Sequence, residues 1–308
     1  MRIRRGAAAA VLAVAFLAGL AGPVAAEDPA FVAWSDLLPS MSTTYEPNSA
    51  NDCVSGKLKC VDAVIREMTR RFNPLAASCD HDAVFSLTYL RTTEAYRRSV
   101  ADGTFFRDTA FVNHQDAVFG RYYFDAYDDW HHNDRSRVSQ AWQIAFDAAD
   151  RRLVTGTGNL LLGMSAHVNR DLPYVLADIG LVRPDGSSRK DDHDKVNQFL
   201  NLVVEPLMAE AAARFDPTID DGMVDGTTLD ATATLQLLVT WREGAWRNAE
   251  RLAAATTPAQ RAQVEADIEQ GAAAIAQGIV ATSSYGPLDS LTGRRAARDT
   301  YCAANWQG

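Results

Sequence analysis

His167 and Asp171 stand four residues apart in LLLGMSAHVNRDLPYVLADIG, residues 160–180. At 3.6 residues per turn, side chains four apart lie one above the other on a helix, so the pair can address one partner. An imidazole and a carboxylate so placed are ready ligands for a divalent transition metal, zinc first and iron or manganese after it. The same pair also fits a structural network, in which Arg242 neutralises Asp171 and hydrogen bonds fix His167. Arg242 sits between the apolar residues Leu238 and Trp246, one turn to either side. A buried polar group left unpaired costs roughly 2–7 kcal/mol, so something faces this pair. Metal sites and buried ion pairs share this signature.

The segment Asp191-Asp192-His193-Asp194 with Asn197 forms a second cluster. His193 and Asn197 share a helix face, so His193 can join His167 and Asp171 as a third metal ligand. Asp194 or Glu94 would then complete the shell or act as general base, and Arg242 would hold an anionic group. Favouring the helix dipole accounts for the aspartates, but a cationic His193 gains nothing at that end. In Cys79-Asp80-His81-Asp82, Asp80 reads as a helix N-cap and His81 as a surface residue. His131-His132-Asn133-Asp134 reads as a solvated polar loop. Gly163-Met164-Ser165 lacks the second glycine of a nucleophile elbow, and the acidic run 216–230 lacks EF-hand spacing.

The elements that carry these residues read as helices. Val61, Val64, Ile65 and Met68 recur at three and four before Asn73-Pro74, expected as a stop. Val84, Leu87 and Thr88 mark one stripe of the next helix, and Phe85, Tyr89 and Tyr96 another. Val112 to Trp130, 138–154, 191–207, 235–252 and 259–281 continue the pattern, with 215–230 as a loop. Pro173 inside the central run predicts a kink. No run alternates with a period of two. The expected fold is all-α, a single domain of eight to ten helices around a kinked central helix. An apolar pocket lined by Trp241, Trp246, Tyr89 and Tyr123 would suit a small-molecule or lipid ligand without catalysis.

Residues 1–26 read as an export signal: Arg2, Arg4 and Arg5, an apolar stretch, then Val24-Ala25-Ala26. Residues 27–53 read as an irregular arm and 54–308 as the helical domain. Losing the three arginines takes the net charge from −9 to −12, a balance that excludes a nucleic-acid footprint. No later run is long enough to span a bilayer, and oligomeric state is open. The four cysteines suit an exported chain; proximity pairs Cys53 with Cys60 and leaves Cys79 for Cys302.

FSLTYLRTTEAY, FGRYYFDAYDDW, WREGAWRNAERL and the run from Leu160 to Asn201 resemble an uncharacterised, mostly actinobacterial family of helical proteins known only as a domain of unknown function. That resemblance marks His167, Asp171, Asp192, His193, Asn197, Trp241 and Arg242 and implies no activity. His167-Val168-Asn169-Arg170-Asp171-Leu172-Pro173 also looks like the HxxxD helix of the zinc-dependent phospholipase C and P1 nuclease superfamily. This second resemblance implies an exported hydrolase of phosphoesters or lipids. The chain departs from it in placing Trp34 inside the sequence and in lacking the second histidine after the motif.

Overall fold

The computed structural model describes residues 43–132, 134–219, 231–287 and 289–308, with the backbone of 223–224 and 227–228. The expected signal, 1–26, and most of the arm lie outside the described residues.

The most buried segment is the predicted central one. In α5, Gly156–Ser165, every residue is buried. Around it, in chain order, are α1 (Leu58–Ser78), α2 (Ala83–Ser99), α3 (Thr109–His132) and α4 (Gln140–Asp150). After α5 come one π-wound turn, Ala166–Asp171, and α6, Leu172–Ile179. Then follow α7 (Lys190–Arg214), α8 (Ala231–Ala254), α9 (Pro258–Ser283), the single turn α10 (Asp289–Thr292) and α11 (Arg294–Asn305). The fold is all-α, with ten helices of two turns or more among the described residues. The segment 215–230 contains a short 3₁₀ turn and a ribbon pairing Met223–Val224 with Thr227–Thr228.

The central rod carries its irregularity in the turn before the proline, not at the proline itself. Pro173 lies in the first turn of α6, where a missing N–H is tolerated. The turn just before it is the one wound as π, and such turns interrupt α-helices without breaking them. α2, α4 and α9 pack on α5, while α3, α4, α8 and α9 reach the π turn. Gly163 permits one of these approaches: a Cβ there would lie 2.2 Å from Cγ of Phe85 on α2.

Two local expectations are corrected. Pro74 does not stop α1, which runs four residues further because burial of Leu75 and Ala76 holds the last turn. His131 and His132 are not in a loop but end α3. His131 lies 3.3 Å from Oδ2 of Asp82.

The chain's C-terminal end locks onto the start of the central helix. Arg298 donates to Oδ1 of Asn159 at 2.8 Å and to the Val154 carbonyl at 3.2 Å. Asp216, in the supposed surface loop, is 3 % exposed and accepts from the Gly156 N–H at 2.9 Å. His81 is equally buried, not on the surface, between Asp299 and Arg298.

Both cysteine pairs form as expected, Cys53–Cys60 across 7 residues and Cys79–Cys302 across 223. Cross-linking restricts the unfolded chain more as the loop lengthens. Replacing Cys79 and Cys302 by serine is therefore expected to cost about 2–5 kcal/mol in urea denaturation. The Cys53/Cys60 double serine variant should lose clearly less; equal losses would rule out the loop-length argument.

Candidate functional site

Three helices turn one periodic face each toward a common space. α2 contributes Phe85, Thr88, Tyr89, Thr92, Thr93 and Tyr96, and α7 contributes Val196, Phe199, Leu200, Val203, Val204 and Leu207. α3 adds Val112, Gln115, Asp116 and Phe119. All three sets recur at three and four, the spacing of one helical stripe. With Met164, His167, Val168 and Leu172 from the rod, and Leu238 and Arg242 from α8, they line a half-open cavity of about 160 Å³. Its walls are mostly apolar, and its polar lining groups are few.

His167 is the first of these. Its Nδ1 lies 2.9 Å from Oδ2 of Asp171, confirming the i, i+4 contact. An ionised carboxylate only accepts, so Nδ1 carries the proton and Nε2 is left as an acceptor. Burial lowers the His167 pKa and outweighs the opposing pull of Asp171, which keeps the ring neutral at neutral pH. The ring stacks on Phe119 with centroids 3.5 Å apart. Nε2 is buried and meets no hydrogen-bond partner among the described residues.

Asp171 is fully buried and compensated, but not by Arg242. Trp142 Nε1 donates to Oδ2 at 2.8 Å, and Arg170 Nη1 donates to Oδ1 at 3.1 Å. Arg170 is in turn held by Glu269 at 2.7 Å. The structural network foreseen for Asp171 exists, with Arg170 where Arg242 was expected.

Tyr89 and Asp116 complete the polar lining near His167. The Tyr89 and His167 rings have centroids 4.7 Å apart, and the Tyr89 hydroxyl is buried without a partner among the described residues. Burial, then the charges of Asp116 and Asp171, raise the Tyr89 pKa well above its ordinary value, so the phenol stays protonated. Asp116 is partly exposed as a residue, but its Oδ2 is sealed and unpaired. Burial pushes its pKa up to about 7. Sequence reasoning missed Asp116. The available signal was a carboxylate one turn from both Val112 and Phe119, on the apolar stripe of α3.

Arg242 lies at another part of the lining, with His193 and Asn197. Its Nε donates to Oδ1 of Asn197 at 2.8 Å, and Nη2 to the His193 carbonyl at 2.7 Å. His193 Nε2 donates to the Arg242 carbonyl at 3.2 Å, and its Nδ1 lies 3.3 Å from Nη2. Burial and the neighbouring guanidinium hold His193 well below the usual histidine range. Arg242 is 5 % exposed, has no ion pair among the described residues, and its pKa is lowered by burial to about 10.

The expected ligand set is therefore not gathered. His167 and Asp171 face each other, while both ring nitrogens of His193 are engaged with Arg242. No group of three or more His, Cys, Asp or Glu side chains suited to a metal ion occurs among the described residues. Asp194 is half-exposed and bound to Lys190, and Glu94 pairs with Arg91; neither lines the cavity. Of the four aromatic residues expected around a pocket only Tyr89 lines it. Tyr123 packs in the aromatic core, and Trp246 lies against His193 with centroids 5.1 Å apart. Asp192, expected as a simple dipole partner, is buried and accepts from the Arg107 and Asp108 N–H groups at 2.7 and 3.1 Å.

Fold and site together define an all-α protein with a half-open apolar cavity that carries a few polar groups unpaired among the described residues. The chain belongs to the family of unknown function DUF5995, whose model matches residues 61–282 and so spans the cavity-forming helices. No curated protein and no solved structure is a match for it.

The raised Asp116 pKa has a sign that can be tested. The folded state holds the proton more tightly than the unfolded chain, so stability falls as pH rises from the ordinary 3.8 to about 7. Asp116→Asn is therefore expected to melt above wild type at about pH 8, with the gap closing near pH 4 in parallel melting curves. A gap independent of pH would contradict the assignment.

Proposed function

We propose that this protein is an exported binding protein for an amphipathic anion, an aliphatic chain ending in a carboxylate. The observation that carries this reading is Arg242. Arg242 is a buried guanidinium with no ion pair among the described residues, opposed only by the half-exposed Asp194, and such a charge is costly; its Nη1 makes no hydrogen bond among the described residues. An apolar cavity lined by a cation that no ion pair neutralises among the described residues suits a ligand that is apolar along its length and anionic at one end. The export signal pattern at 1–26 and the two disulfides support a location outside the cytoplasm. No described helix is long and apolar enough to cross a membrane.

Calorimetric titration with stearate and with octadecanol tests the reading. Wild type is expected to bind stearate, and Arg242→Gln to weaken that binding about tenfold, equivalent to about 1.4 kcal/mol. Octadecanol should bind both forms alike. Absence of stearate binding, or equal affinity in the variant, would refute it.

One observation favours a second reading, the metal-dependent hydrolase of the sequence analysis. A metal-bound histidine commonly donates its other N–H to a carboxylate, which is the relation of His167 to Asp171. Nε2 of His167 would be the ligand, and the donors to accompany it are few. Elemental analysis of chelator-free protein decides: this reading expects near-stoichiometric zinc that His167→Ala loses while remaining folded. Retained metal in that variant would rule it out.

A further inference from the structure

Near Asp171 the fold satisfies its buried polar atoms, whereas at the cavity it leaves several unsatisfied. Three lining residues carry such an atom: Nε2 of His167, the hydroxyl of Tyr89 and Oδ2 of Asp116. Buried side-chain polar atoms in folded proteins are overwhelmingly paired, so three at one cavity call for a partner that the chain does not supply.

The chemistry of each atom narrows that partner. Nε2 of His167 accepts only, because Asp171 holds the proton on Nδ1. A carboxylate head group has no proton to give and cannot serve it, nor can a plain alkyl chain. The Tyr89 hydroxyl can donate or accept. Its ring lies 4.7 Å from that of His167 by centroids, so the two residues stand side by side in the lining. A hydroxyl combines both roles in one oxygen, donating to an acceptor such as Nε2 and accepting from a phenol.

We propose that the natural ligand carries, besides its anionic end, a hydroxyl on its apolar chain, bound between His167 and Tyr89 with Asp116 beside them. The inference rests on the amphipathic-anion reading of the same cavity and names the ligand class as a hydroxylated long-chain acid. Burial also favours the protonated form of Asp116, so its carboxyl adds a donor to that group. A bound water is the competing occupant, since it too donates and accepts.

The test compares stearate with a series of octadecanoates hydroxylated at successive chain positions, by calorimetric titration against the full mature chain. At least one positional isomer is expected to bind about tenfold tighter than stearate. Tyr89→Phe should erase most of that preference, read as the ratio of hydroxylated-isomer to stearate affinity within the same variant. It should also leave the unliganded melting temperature equal or higher, because it removes an unpaired buried hydroxyl; a structural tyrosine would lower it. If stearate binds but no isomer exceeds it by about threefold, water serves these atoms and the inference is overturned, while the amphipathic-anion reading stands. The inference is equally overturned if Tyr89→Phe keeps the full preference. If neither stearate nor any isomer binds, both fall together.

Discussion

The carboxylate of Asp171 is the constraint around which the interior is arranged. A charge with no solvent exposure is tolerated only when its lone pairs are met with good geometry. Here the partners come from separate places: Trp142 from α4, Arg170 from the adjacent position and His167 from one turn earlier. Arg170 passes the requirement outward to Glu269 on α9. Seating one carboxylate thus joins α4, the π turn and α9, and fixes His167 in one tautomer. The aromatic residues packed beside it, Phe85, Phe119, Tyr123 and Trp142, seal this set from water and keep its electrostatics strong.

The contrast with the cavity is physical. On one side of His167, the Asp171 network is complete. On the other, His167 Nε2, Tyr89 and Asp116 remain unpaired, and Arg242 is held by neutral groups alone. Folding would be easier with phenylalanine, leucine or an acid at these positions. Such departures from local consistency concentrate at functional sites, where the missing partner arrives from outside. The cavity is the one region in which His167, expected in a polar cluster, and Tyr89, expected in a pocket wall, meet a third group that neither expectation included.

The architecture also explains why the last residues matter. α11 lies far from the rod in sequence, yet Arg298 and Asp216 between them meet the first residues of α5, and Cys302 joins α11 to the end of α1. Of the N–H groups that open the central helix, that of Gly156 is met by Asp216, which arrives late in the chain, and that of Gly158 by the neighbouring Thr155 hydroxyl. This binds the arrangement of α5, and with it His167, to the closing of the longer of the two disulfide loops.

Much was legible in the residues alone, because it depends on local spacing. Apolar recurrence at three and four determined the helices, the central place of residues 160–180 and the contact of His167 with Asp171. Cysteine proximity determined the pairing. What depends on which face meets which was decided only in three dimensions. Spacing says that Asp171 needs a cation but not whether Arg170 or Arg242 is nearer, and it places His193 on a helix without showing that Arg242 occupies both its nitrogens. Asp116 was invisible for the same reason: an acid on a helix reads as solvated until two other helices close over it. Helix formation is a property of a window of sequence, whereas a cavity and its unpaired atoms arise from the packing of distant windows.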